Sequence, residues 1–219
     1  MLNDLMKKYG SDKTEHGYCE FYESFFATIR ESVTAMLEIG VFKGASMRAW
    51  LDYFQNADVY GIDDGRWQRE WDFGTDRAHV WLSEQVSRSC MATLVKKIGQ
   101  PLDIVLDDGG HTMWGQQCSL ACLLPAVKPG GLYVVEDLFT SFQDVTVYRT
   151  DGGTVMQVAA TGCDFPLTTT YEVLSRWPDV KSDYMTQDEW DYLVAHVANV
   201  TISDEGERHQ HSTAVLEVK

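Results

Sequence analysis

The chain has 219 residues, 44% of them hydrophobic, and a formal net charge of −15. That length supports one sizeable core, no apolar run reaches the roughly 18 residues of a membrane span, and so acidic a chain is repelled by phosphate backbones, which excludes nucleic acid as the expected substrate. Five cysteines without a CxxC pair argue against a disulfide framework or a zinc-thiolate centre.

In chain order, MLNDLMKKYGSDK mixes acids and bases without an apolar core, so it does not read as a secretory leader and a cytoplasmic protein is expected. Residues 1–32 are expected to form a helical lid, within which YGSDKTEHGY (9–18) either folds over a ligand or only links helices. AMLEIG (35–40), ADVYGID (57–63), LDIVLDD (102–108) and GGLYVVEDL (130–138) share one format, an apolar run ending in glycine or acids, and AHVWL (78–82) adds a strand between the second and third. Met47, Trp50, Leu51 and Phe54 predict a helix over 46–54. Val86, Met91, Leu94 and Val95 predict one over 84–98, and Leu120, Leu123 and Leu124 one over 114–127. This alternation predicts an α/β fold: a doubly wound, mostly parallel sheet with helices on both faces. YEVLSRWPD and TQDEWDYLVAHV read as amphipathic helices, and 197–202 with 213–218 as an antiparallel hairpin closing one edge. One domain, 1–219, is expected, with the glycine- and threonine-rich 141–166 inserted near the mouth of the site and 141–190 shaping the acceptor pocket.

In an open α/β sheet, ligands bind beyond the carboxyl ends of the strands. LEIGVFKGAS places Glu38, Gly40 and Gly44 at the first such end; GxGxxG is absent, which weakens a dehydrogenase reading. Asp63, 25 residues after Glu38, is spaced to accept hydrogen bonds from ribose hydroxyls, or else serves as a loop or capping acid. The two features together favour a nucleoside-type cofactor. In LDIVLDDGGHT, the adjacent Asp107 and Asp108 cannot share one face of a strand, while Gly109 and Gly110 free the backbone so that Asp108 and His111 can converge. A second pair, Glu136 and Asp137, ends a neighbouring strand. Carboxylates gathered in this way repel one another. A hard divalent cation, Mg²⁺, Mn²⁺ or Ca²⁺ rather than zinc, relieves the conflict, and His111 is suited to act as general base. The plainer alternative is that these acids cap helices and His111 is a polar loop residue.

YGSDKTEHGY, LEIGVFKGAS, VYGID, SEQVSRSCMATL, LDIVLDDGGHTMWGQQ and VKPGGLYVVEDLFTS together resemble class I S-adenosylmethionine-dependent O-methyltransferases of natural-product biosynthesis. The likeness is to the catalytic domain of the metal-dependent macrolide-sugar enzymes. It runs from about residue 7 to 142 and returns in the C-terminal hairpin. The resemblance implies a Rossmann-like methyltransferase fold and Mg²⁺-dependent methyl transfer to a hydroxyl of a small, sugar-bearing acceptor. It implies that Glu38, Gly40 and Gly44 border the methionine part of the cofactor, that Asp63 holds its ribose, and that Gln85 lies beside the adenine. Asp107 would neighbour the cofactor, Asp108, Glu136 and Asp137 would ligate the metal, and His111 would be the base. Glu84 stands where relatives carry aspartate before Gln85, and Phe139 where they often carry histidine on the substrate side. The macrolide enzymes have an added N-terminal domain for which this chain is too short, so assembly as a homo-oligomer is left open. Three rivals remain: methylation of a phenol or catechol, a hydroxylase subunit of the cephamycin type, and a non-enzymatic nucleoside sensor.

Overall fold

The computed structural model describes residues 1–141, 148–149, 155–156, 168–203 and 212–219, the two dipeptides by backbone alone. Parallel strands β1 (Ala35–Ile39), β2 (Asp58–Asp63), β3 (Ala78–Leu82), β4 (Leu102–Asp107) and β5 (Val127–Val135) lead into an antiparallel pair. Two-residue strands β6 (Tyr148–Arg149) and β7 (Val155–Met156) pair only with each other. The pair β8 (Val197–Ser203) and β9 (Thr213–Val218) completes a seven-stranded sheet in the order β3-β2-β1-β4-β5-β9-β8. The order reverses between β1 and β4, the point at which an open sheet presents a crevice to ligands.

Helices α1 (Leu2–Tyr9), α2 (Tyr18–Ile29) and α3 (Ala45–Tyr53) cover one face. Leu2, Met6, Tyr22, Phe26, Trp50 and Phe54 pack there against Met36, Ile104, Leu106 and Val134. Helices α4 (Arg88–Ile98), α5 (Met113–Leu123), α6 (Thr170–Ser175) and α7 (Gln187–His196) cover the other face, over Leu37, Val105, Tyr133 and Leu216. The N-terminal helices are thus a buried layer of the core, and the part of the segment that reaches the carboxyl edge is the turn between α1 and α2.

Three predicted boundaries shift. Helix α4 starts at Arg88 rather than 84, because the Ser87 hydroxyl accepts from the Cys90 amide and caps it; Gln85 is left in the preceding loop. Helix α5 stops at Leu123, where Leu124–Ala126 tightens into a 3₁₀ turn containing Pro125. Strand β5 begins at Val127 and ends at Val135, so Glu136 and Asp137 lie just past it. Parts of the 141–190 expectation, with Cys163, His209 and His211, lie outside the described residues.

Two acids inside strands are structural pins. The buried Asp103 Oδ2 accepts from the amides of Thr34 (2.9 Å) and Ala35 (3.0 Å) and from Thr34 Oγ1 (3.0 Å), and Oδ1 pairs with Lys128. It ties the start of β1 to β4. Glu38, fully buried in β1, accepts from Ser46 Oγ (2.9 Å) and Trp50 Nε1 (3.0 Å) of α3, fixing the helix to its strand. Burial pushes the Glu38 carboxyl up to about 7, against the pull of Lys13.

Asp103→Ala strands two backbone donors and is expected to cost about 3 kcal/mol in urea unfolding; a loss near zero would remove the pin. For Glu38 the folded-state value lies above the ordinary 4.5, so the folded protein binds the extra proton. Stability from this group is greatest below pH 4.5 and falls as pH rises through about 7. Glu38→Gln is expected to remove that slope, on the order of 3 kcal/mol across the window, in melting curves recorded at stepped pH; an unchanged slope would contradict the assignment.

Candidate active site

The site follows from strand periodicity. Side chains alternate between the faces of a strand, so Met36 and Glu38 of β1, Ile104 and Leu106 of β4, and Leu132 and Val134 of β5 all face the N-terminal helices. One step beyond the strands, Asp108 and Glu136 continue that alternation. Register aligns them: Asp107 pairs with both Ile39 and Val135, the Asp108 amide donates to Ile39 O (2.9 Å), and the Glu136 amide donates to Asp107 O (2.9 Å). Three carboxylates, Glu38, Asp108 and Glu136, are therefore directed to one face.

Asp107 points to the opposite face. Its buried carboxylate accepts from Ser119 Oγ of α5 and from Gln85 Nε2 (2.6 Å), and Gln85 Oε1 accepts from the Gly110 amide (2.9 Å). Burial raises the Asp107 carboxyl to about 6, against the Ser119 hydrogen bond. Asp107 and Gln85 thus form a bracket that sets the 108–112 loop.

Around Asp108 and Glu136 the structure supplies what the sequence reading missed. Lys13, from the turn between α1 and α2, has a side chain only 2% exposed. Its ammonium donates to Asp108 Oδ2 and to Glu136 Oε2 (2.8 Å). Tyr22 OH donates to Glu136 Oε1 (2.5 Å) and Tyr18 OH to Asp137 Oδ1. Burial works against the Lys13 charge, yet Asp108, Glu136 and Glu38 together hold its pKa well above the ordinary lysine range. Burial, reinforced by Asp108, pushes Glu136 well above the ordinary carboxylate value; burial raises Asp108 too, against Lys13 and His111. The only hint in the sequence was YGSDKTEHGY, which carries Lys13 and Tyr18 in a segment read either as folding over a ligand or as only linking helices; Tyr22 lies beyond it.

Asp108 Oδ1 and Asp137 Oδ2 face His111 Nε2 at 3.9 and 3.4 Å. One ligand atom each from Asp108, His111 and Asp137 falls within a common 4.8 Å, the metal-sized cluster found among the described residues. Glu136 is not in it, since both its oxygens turn to Lys13 and Tyr22. His111 Nδ1 is buried without a hydrogen-bond partner. His111 (φ 52) and Asp137 (φ 55) are two of three non-glycine residues with left-handed backbone among the described residues. Strain of this kind, of order 1–3 kcal/mol each, concentrates at functional sites.

The remaining predicted residues form the adjoining wall. A Cβ on Gly40 (φ +87) would meet the Asp108 carbonyl oxygen at 2.0 Å, so only glycine allows β1 and β4 to close there. Gly44 takes a left-handed backbone (φ 80) at the start of α3. Asp63 Oδ2 accepts from the Val41 (3.0 Å) and Phe42 (2.8 Å) amides, and Oδ1 from the Gly65 amide (2.8 Å). From the carboxyl end of β2 it braces the glycine loop. No helix among the described residues is long and apolar enough to cross a membrane.

Comparison with known proteins places this geometry in context. Residues 37–138 match the family model described as a methyltransferase domain. The 8-demethyl-8-alpha-L-rhamnosyl tetracenomycin-C 2'-O-methyltransferase of Streptomyces olivaceus is 38% identical over 151 residues, covering 64% of this chain and 38% of that protein. The demethylmacrocin O-methyltransferase of Streptomyces fradiae is 33% identical over 152 residues, covering 64% and 37%. The MycE methyltransferase of the mycinamycin biosynthetic pathway, solved with Mg, SAH and mycinamycin VI, superposes with a TM-score of 0.74 at 25% identity, over 99% of this chain and 54% of that one. The chain therefore spans about half the length of that structure, and the curated matches cover less than two fifths of their proteins. The sheet order and the glycine loop agree with that match, and residues 37–138 of this chain resemble a methyltransferase domain.

Proposed function

We propose that this chain, acting in the cytoplasm as a single domain, transfers a methyl group from S-adenosylmethionine to a hydroxyl of a sugar or glycosylated secondary metabolite, aided by Mg²⁺ or another hard divalent cation. The observation that carries the reading is the convergence of Asp108, His111 and Asp137 at the carboxyl edge of the sheet beside the glycine loop. The name of the Streptomyces olivaceus relative, a rhamnosyl tetracenomycin-C 2'-O-methyltransferase, supports the choice of a sugar hydroxyl over a phenol.

The residues present fit a hard cation. Asp108 Oδ1 and Asp137 Oδ2 are oxygen donors facing one space, and three carboxylates against one ammonium leave two negative charges to balance. Asp108 and Asp137 would hold the ion, with Glu136 beside them. When bound, the ion would orient an acceptor through adjacent oxygens and lower the pKa of its hydroxyl, while S-adenosylmethionine would supply the methyl group.

His111 is the group placed to take the hydroxyl proton. Its Nε2 faces the carboxylate oxygens, whereas Nδ1 is buried, so proton exchange is confined to one nitrogen. His111 holds a left-handed backbone with its Nε2 toward Asp108 and Asp137. Glu38, Gly40 and Gly44 would border the methionine part of the cofactor, Asp63 would hold its ribose, and Asp107 with Gln85 would lie toward its adenine. The turn between α1 and α2 lies against the site through Lys13.

Methyl-labelled S-adenosylmethionine offered with rhamnosyl and deoxysugar glycosides and with catechols tests the reading. Transfer to a glycoside hydroxyl is expected, abolished by excess chelator; full turnover in chelator, or transfer to catechols alone, would overturn it. Asp108→Ala is expected to lose turnover while retaining S-adenosylhomocysteine binding by calorimetry. His111→Ala should lower kcat by about 100-fold or more with little change in acceptor affinity; an unchanged kcat removes the base.

A further inference from the structure

We propose that Lys13 is a built-in counter-ion of the cation site: its ammonium neutralises one of the clustered carboxylates, fastens the N-terminal segment over the carboxyl edge, and thereby sets how strongly the site attracts a divalent ion. The inference rests on the functional reading above in taking Asp108 and Asp137 as the ion's ligands.

The geometry divides six carboxylate oxygens into two sets. Four belong to the N-terminal segment: Asp108 Oδ2 and Glu136 Oε2 on Lys13, Glu136 Oε1 on Tyr22, and Asp137 Oδ1 on Tyr18. Two, Asp108 Oδ1 and Asp137 Oδ2, face His111 on the other side. Lys13 and an ion therefore use different oxygens of the same carboxylates, and neither need displace the other. Their charges still act through the same buried acids. A positive charge within a few ångströms of the ion's ligands weakens their hold on a second positive charge, and in a partly buried site this is worth at least a factor of ten in affinity, roughly, at an effective dielectric near 20.

The position of Lys13 also explains how a turn can be held at a sheet edge. Ser11 Oγ accepts from the Lys13 amide (3.4 Å) and Ser11 N donates to Met6 O (3.0 Å), so the turn is fixed to α1. The lysine then reaches across 95 and 123 positions of sequence to Asp108 and Glu136. Without that ammonium, the closed segment would cover acids that repel one another, unless an ion took over their neutralisation.

The test compares wild type with Lys13→Met and Lys13→Arg in the full chain. Each protein is treated with trypsin and melted, in chelator and in Mg²⁺, and Mn²⁺ affinity is read by calorimetry. In chelator, Lys13→Met is expected to melt lower and to be cut faster at Lys7, Lys8 or Arg30, with Mg²⁺ reversing both. Its Mn²⁺ affinity is expected to rise by about tenfold, and Lys13→Arg to behave as wild type. A Lys13→Met protein that stays closed in chelator, or whose lability Mg²⁺ leaves unchanged, overturns the proposal. Should Lys13→Met fail to fold alone, Lys13→Met with Glu136→Gln removes one charge of each sign and is expected to restore closure in chelator; no recovery overturns the electrostatic basis. Equal Mn²⁺ affinity in wild type and Lys13→Met leaves the ion site standing and removes the lysine's role. No Mn²⁺ binding by either protein removes both.

Discussion

Buried negative charge is the constraint on which this molecule is organised. Parallel register carries Glu38, Asp108 and Glu136 to one face of the sheet, next to one another and largely out of water. Carboxylates in that position are tolerated only when protonated, hydrogen-bonded or matched by positive charge. The chain uses all three remedies. Glu38 is raised toward neutrality and bonded to Ser46 and Trp50. Glu136 receives a tyrosine hydroxyl and an ammonium, and Asp108 shares that ammonium.

The same alternation separates two tasks assigned to neighbouring residues. Asp107 and Asp108 differ by one position and therefore by one face. Asp107 joins Ser119 and Gln85 in a bracket that shapes the loop. Asp108 joins Lys13 and His111 where charge is concentrated. Gly109, which follows, leaves room for Gln85 and Ile39, and His111 takes a left-handed backbone in the same loop. A framework of strands thus positions the acids, while loop residues with costly conformations position the imidazole.

Much of this was legible in the sequence because it rests on periodicity. The apolar runs with terminal acids give the strands, the intervening spacings give the helices, and the doubly wound sheet with its C-terminal hairpin follows. Acids at strand ends mark the edge where chemistry belongs, and the adjacency of Asp107 and Asp108 implies opposite faces, whereas the bracket of Asp107 with Ser119 and Gln85 depends on tertiary packing. What periodicity does not carry is pairing across long separations. Lys13 lies 123 positions from Glu136, and no local pattern links them. The count of acids demanded a cation; whether a bound ion or a side chain answers for a given oxygen is decided by tertiary packing. The start of α4 moved for a local reason: Ser87 competes for the backbone and caps the helix later than hydrophobic spacing suggests.

The central claim is that Asp108 and Asp137 share one divalent ion beside His111. The most direct measurement is anomalous diffraction from crystals grown with Mn²⁺ and S-adenosylhomocysteine. The account predicts a single strong peak bonded to carboxylate oxygens of Asp108 and Asp137, with the His111 imidazole facing it and Lys13 still on Glu136. A peak elsewhere, or no peak at an ion concentration that supports turnover, would contradict it.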